Sequence, residues 1–303
     1  MKNHLSSAAF AAALLLPCVY AAAAELPFSA PAAAASEVFD GTVPAIAGLS
    51  LGTSYEDVER TFAAAVGDEF QLKRGNRELQ FGNSRDGTVE FSFPDTLQLA
   101  GKADGAGPIR EERTATFSSP LTGSQLLTLE RSIVGRGGEE LSIPAIQEAI
   151  VAALGQPTGR YDETTPKWSY VWLDGRLIAG ADVPHLKATV SATMEATGVR
   201  PSELGDLERR VDACSTLAGY VSNDPLIDTV NALASGEKVP RDCTALATVV
   251  FYPGSQDDLS SRIVVELAYT GAVVQDAEAV GTHMREALTS GAGRKGGVRL
   301  DTF

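Results

Sequence analysis

The sequence predicts an α+β protein built from antiparallel sheets with helices packed on one face. Capped amphipathic helices begin near Ser54 and Ser142, and each is followed by segments of strand period joined by turn residues. In the last third, alternating apolar segments meet at a turn and close on one long amphipathic helix.

Residues 25–40 are rich in Ala, Pro and Ser without periodicity and read as a flexible lead-in. The span 41–200 reads as one α+β domain. Its first helix has Val58, Phe62, Ala65 and Val66 at helical spacing, Thr53 and Glu56 at capping-box spacing, and Gly67 as the stop. A hairpin follows. Leu79 and Phe81 alternate with polar residues, Asn83 to Gly87 supplies the turn, and Val89, Phe91 and Phe93 share a strand face. Residues 100–113, broken by glycines and Pro108, read as a mobile loop. A strand is expected over 125–134, then a helix from Ser142 with Pro144 in its first turn and Ile146, Ile150 and Leu154 as its apolar stripe. Ser54, Val58, Phe62, Val66 and Gly67 match Ser142, Ile146, Ile150, Leu154 and Gly155 at a constant offset. Trp168 to Leu173, an Asp174-Gly175 turn and Arg176 to Ala179 form a second hairpin, so the pattern suggests a tandem helix-plus-hairpin repeat.

Residues 201–291 read as a second, disulfide-bonded α+β lobe. Its expected elements are strands at Arg210–Val221, Ala245–Tyr252 and Arg262–Tyr269, then a helix with Val273, Ala277, Val280, Met284 and Leu288 on one stripe. Residues 292–303 read as a flexible tail.

Residues 1–24 read as a signal peptide: a short basic start, an apolar core from Ala8 to Leu16 too short to span a bilayer, and small residues at Ala22 to Ala24. The expected compartment is the periplasm or the exterior. Pro17 stands before Cys18, where a lipidation site wants a small residue, so the leader reads as cleaved and not anchored. No later apolar run is long enough for a transmembrane helix. The chain has 39 acidic and 25 basic residues, a net charge of −14, which argues against nucleic acid and anionic lipid as partners. Beyond the leader, Cys214 and Cys243 have no histidine or third thiol nearby. In an oxidising compartment they read as a disulfide and not as a metal pair.

Gly48-Leu49-Ser50-Leu51-Gly52 matches the G-x-S-x-G pattern of a nucleophile elbow, with a short strand before it and a helix after it. The following helix carries its own cap at Thr53-Ser54 instead of starting over the serine, which weakens the match. His185, in a loop after Pro184, is the candidate base; His283 lies inside a helix beside Met284. Two histidines so far apart, without an H-x-x-x-H or C-x-x-C pair, predict no transition-metal site. Asp257-Asp258 reads as a solvated turn, not a calcium loop, because no Asp-x-Asp-x-Asp-Gly ladder surrounds it. The glycine-rich stretches match no phosphate-binding pattern, so no cofactor is expected.

Trp168, Tyr170 and Trp172 alternate along one strand and therefore share a face. One reading places them in the core under a helix. The other makes them a partly exposed binding platform rimmed by Lys167 and Arg176.

The segment from Ser142 to Trp172 is a capped helix ending Leu154-Gly155-Gln156-Pro157, an acidic loop, and a strand with Trp168 and Tyr170 in a W-x-Y pattern. It resembles small lipoproteins of the outer-membrane β-barrel assembly machinery, and the tandem fold of the β-lactamase inhibitor proteins. The first copy departs from that pattern: Gly67-Asp68-Glu69 replaces Gly-x-Pro, and Phe91 and Phe93 replace W-x-Y. The resemblance implies a tandem α+β fold; an envelope protein is the expected partner. The expectation is a non-catalytic periplasmic or secreted protein-binding or assembly module using the Trp168–Tyr170–Trp172 strand. The alternative is a serine hydrolase acting on an envelope ester or amide through Ser50 and His185.

Overall fold

A computed structural model describes residues 35–289 and 298–301, apart from 42, 84–86, 103–108, 137–138, 162–164, 189–193 and, except for 226, 229 and 232, 218–238. The expected signal peptide, residues 25–34 of the lead-in, and the tail outside 298–301 lie beyond the described residues.

The first part of the chain contains α1 (Ala35–Val38), β1 (Ala45–Ile46), β2 (Leu49–Ser50), α2 (Tyr55–Ala65), β3 (Phe70–Asn83), β4 (Gly87–Gly101), β5 (Ile109–Phe117), β6 (Leu126–Gly135) and β7 (Leu141–Ser142). It continues with α3 (Ile143–Leu154), β8 (Gly159–Tyr161), β9 (Lys167–Leu173), β10 (Arg176–Leu177), β11 (Leu186–Ala188) and β12 (Met194–Ala196). The last part contributes α4 (Asp206–Thr216), β13 (Cys243–Pro253), β14 (Leu259–Ala268), α5 (Thr270–Thr289) and β15 (Val298–Asp301). The fold is α+β, and its main sheet is antiparallel except where β15 runs parallel to β4.

Local chemistry explains the helices. The α2 cap is Ser54, one residue later than the expected capping box: its Oγ accepts from the Asp57 amide at 3.2 Å, while Thr53 Oγ1 donates to the Ser50 carbonyl. Val58 and Phe62 are the buried face of α2; Ile143, Ile150 and Leu154 are that of α3. Of the segment expected as a strand at 210–221, residues 210–216 are instead helical, within Asp206–Thr216, and 218–221 lie outside the described residues. Leu207, Val211 and Cys214 recur at helical spacing, and the Glu208 carboxylate reaches back to accept from the Gly205 amide at 2.9 Å. The disulfide Cys214–Cys243 therefore ties a helix to the first residue of β13, with 5.4 Å between Cα atoms. Closing a loop of 29 residues contributes roughly 3–4 kcal/mol on the chain-entropy estimate.

The main sheet runs in the order β10–β9–β13–β14–β6–β5–β4, with β3 along the far side of β4. The segment expected to form a second lobe thus inserts two strands into the middle of the sheet, β13 beside β9 and β14 beside β6. Nor is 100–113 wholly a loop: β4 reaches Gly101 and β5 starts at Ile109. The first expected hairpin forms and is longer than its aromatic core suggested, with a bulge in β4 where Asp95 is the extra residue between the Asn76–Pro94 and Gly75–Thr96 pairs, beside a proline that has no amide to donate. The second closes at Asp174-Gly175, both at positive φ, and a Cβ on Gly175 would lie 1.9 Å from the Val38 carbonyl oxygen. This hairpin pairs only two positions of β10, and β9 takes its long partner from β13. The two helices repeat; the strands after them do not.

Helices lie on both faces, not one. On the first face α2, α3 and the start of α5 cover a core that includes Leu97, Leu129, Trp168, Tyr170, Phe251 and Val265. On the opposite face α4 covers Val171, Leu173 and Leu246 around the disulfide. Farther along α5, Ala277, Val280 and Met284 pack on Val89, Phe91 and Phe93. Its Asp276 is fully buried and accepts hydrogen bonds from the Ser119 amide and the Ser119 and Thr122 hydroxyls.

Candidate functional site

Strand alternation sends Trp168, Tyr170 and Trp172 to one face, as their spacing predicts, and that face is interior. The three are 2%, 0% and 4% exposed. Trp168 meets Phe251 edge-on at 5.6 Å, and Tyr170 stacks on Trp172 at 6.0 Å. Burial pushes the Tyr170 hydroxyl up to about 12, and its oxygen has no hydrogen-bond partner among the described residues. The aromatic strand is core, so the platform expected of it is absent: β13 supplies a second wall and α2 and α3 close the layer.

Ser50 and His185 do not meet. Ser50 lies between Leu49 and Leu51 in the core under α2 and α3, whereas His185 follows Val183 and precedes Leu186 in the core under α4. The sheet separates them. His185 Nδ1 lies 2.9 Å from Glu208 Oε1, whose carboxyl is held below the usual range first by the Gly205 amide and then by His185. That carboxylate fastens a loop to the start of α4. Cys214 and Cys243 are consumed in their disulfide, and no group of three or more potential metal ligands occurs among the described residues.

The other face of β5, β6, β13 and β14 is a different surface. Register places Tyr252, Arg262, Val134 and Arg110 side by side in one row across these four strands. The next residues on the same face are Lys167, Val250, Val264, Ser132 and Glu112. A third row runs Ser169, Thr248, Glu266, Glu130, Thr114, Gln98 and Lys73, polar across seven strands. Arg110, Glu130 and Arg262 are exposed, and Tyr252 is 40% exposed, one of the few large hydrophobic side chains among the described residues that reach solvent. Arg110, Glu112, Ser132, Val134 and Arg262 line a depression of about 250 Å³.

The electrostatics of this face are uneven. Glu266 lies directly across from Glu130; burial first, then that like charge, holds its carboxyl above the ordinary range, against the opposing pull of Lys167 and a hydrogen bond from Thr248. Burial holds the Lys167 ammonium below its usual range, with Glu266 opposing. At the first row the cations dominate. Arg262 donates from Nε to Ser132 Oγ at 3.0 Å and lies 5.4 Å from the centre of the Tyr252 ring.

Sequence reasoning missed this row for a specific reason. Arg110 falls inside the segment taken for a loop, although Glu111, Arg113, Ala115 and Phe117 alternate there in strand period. Tyr252 pairs with Arg262, and Arg110 with Val134, across consecutive strands, but the Arg262–Val134 pairing that joins the two pairs links β14 to β6, far apart in sequence. No known protein family matches this chain, and neither a curated protein nor a solved structure matches it.

Proposed function

We propose that this chain is a non-catalytic periplasmic or secreted protein that binds an envelope protein partner through the polar face of its sheet. The observation that carries this reading is the Tyr252–Arg262–Val134–Arg110 row, in which Tyr252, Arg262 and Arg110 are exposed, since Tyr and Arg supply a disproportionate share of interface energy. It moves the binding surface from the buried aromatic strand to the alternate residues of the same sheet. The disulfide supports an oxidising compartment, and the leader-like first 24 residues support export. The likeness of residues 142–172 to envelope assembly modules supports the kind of partner, with a helix at 143–154 leading to a strand at 167–173.

Photo-cross-linking in cells tests the reading. A benzophenone side chain at position 252 is expected to trap one discrete partner, which then rebinds the purified protein and loses binding to Arg262→Glu. A probe at position 170, in the core, is the internal control. No partner at position 252 above that control would sink the reading.

A further inference from the structure

We infer, resting on the binding-face reading above, that the depression between Arg110 and Arg262 receives a side-chain carboxylate from an acidic segment of the partner. In a chain with more acidic than basic residues, arginines are usually claimed by their own carboxylates, and Arg77, Arg113, Arg131 and Arg210 are. The Arg110 side chain makes no hydrogen bond or ion pair among the described residues and is exposed. Arg262 is tethered through Nε to Ser132 and lies against Tyr252, without a carboxylate partner among the described residues.

The two stand on β5 and β14 with only Val134 of β6 between them. Two strand spacings put their backbones about 10 Å apart, so one carboxylate above Val134 is within reach of both guanidiniums. The acidic member of the lining, Glu112, is engaged by Gln98 Nε2 on β4. Its charge opposes a phosphate dianion more than a carboxylate. Around the depression the β5, β6 and β14 amides serve the strand ladder, so no nest of free N–H groups is built for phosphate. The Tyr252 ring and Val134 offer apolar contact that a peptide would cover and a free small anion would leave open.

Titration calorimetry of the full chain at low salt, with capped hexaglutamate and hexaglutamine peptides, tests this. Hexaglutamate is expected to bind, hexaglutamine to bind at least about tenfold more weakly, and Arg110→Gln and Arg262→Gln each to weaken hexaglutamate by about fivefold or more. Equal binding of the two peptides, or arginine variants that bind as the parent does, would overturn the inference. Succinate binding as tightly as hexaglutamate would also overturn it, by making the depression a small-anion site. If hexaglutamate fails while the adduct at position 252 persists, the acidic partner falls and the binding face stands; loss of both removes both.

Discussion

The two faces of β13 and β14 are made from alternate residues of the same strands and have opposite fates. Ala247, Val249, Phe251, Ile263 and Val265 point into the layer under α2 and α3 and are buried. Thr248, Val250, Tyr252, Arg262 and Glu266 point away and stay half-buried or exposed. A one-residue change of register would exchange the faces, so the pairing that builds the core also sets which residues meet a partner. Aromatic content alone is a poor guide to a binding surface. The strand with both tryptophans is buried at all seven positions, whereas the row on the other face holds a single tyrosine, at its end beside Arg262.

The contrast breaks most readily on the interior face. Trp172→Ala is expected to lower unfolding free energy by about 3–5 kcal/mol, because it empties a site that is 4% exposed. Urea denaturation followed by far-ultraviolet circular dichroism measures this; a loss under about 1 kcal/mol would mean that the aromatic layer is not core.

A second measurement concerns Glu266, at the middle of the polar face. Its carboxyl is raised in the folded state, so the stability tied to its protonation is full below its unfolded value and is lost as pH rises through the folded value. Glu266→Gln is therefore expected to melt above the parent at neutral and higher pH, with the difference closing as the solution is acidified through the carboxylate range. A constant difference across pH would show that Glu130 and burial impose no penalty on the charge.

The smallest effect is expected at the exposed row. Arg110→Gln should change stability by less than about 0.5 kcal/mol, since the side chain is exposed and has no partner to lose among the described residues. A marked loss would make Arg110 a structural residue and would remove it from the binding argument.

Much of the fold was legible because its signals are local. The stripes Val58–Phe62 and Ile150–Leu154, the Asp174-Gly175 turn and the alternation of Val89, Phe91 and Phe93 each lie within a few residues and need no partner to be read. The failures have local causes too. At 206–216 the apolar residues Leu207, Val211 and Cys214 are sparse among charged ones, and the stabilising cap is a glycine amide bound by Glu208. At 109–117 a strand begins directly after a glycine-rich stretch, which hid its period.

By itself the sequence determined the α+β class, the helix stripes, the cysteine pair and the face that each strand residue shares with its neighbours, since these follow from the backbone periods of 3.6 and 2 and from side-chain chemistry. Only the tertiary structure decided which face is inside. It sets β13 and β14 between β9 and β6, lays α2 and α3 over the aromatic side, and so leaves Arg110, Val134, Tyr252 and Arg262 together on the other. Strand pairing joins residues by hydrogen bonds between distant segments, and a local sequence pattern carries no record of which segments those are.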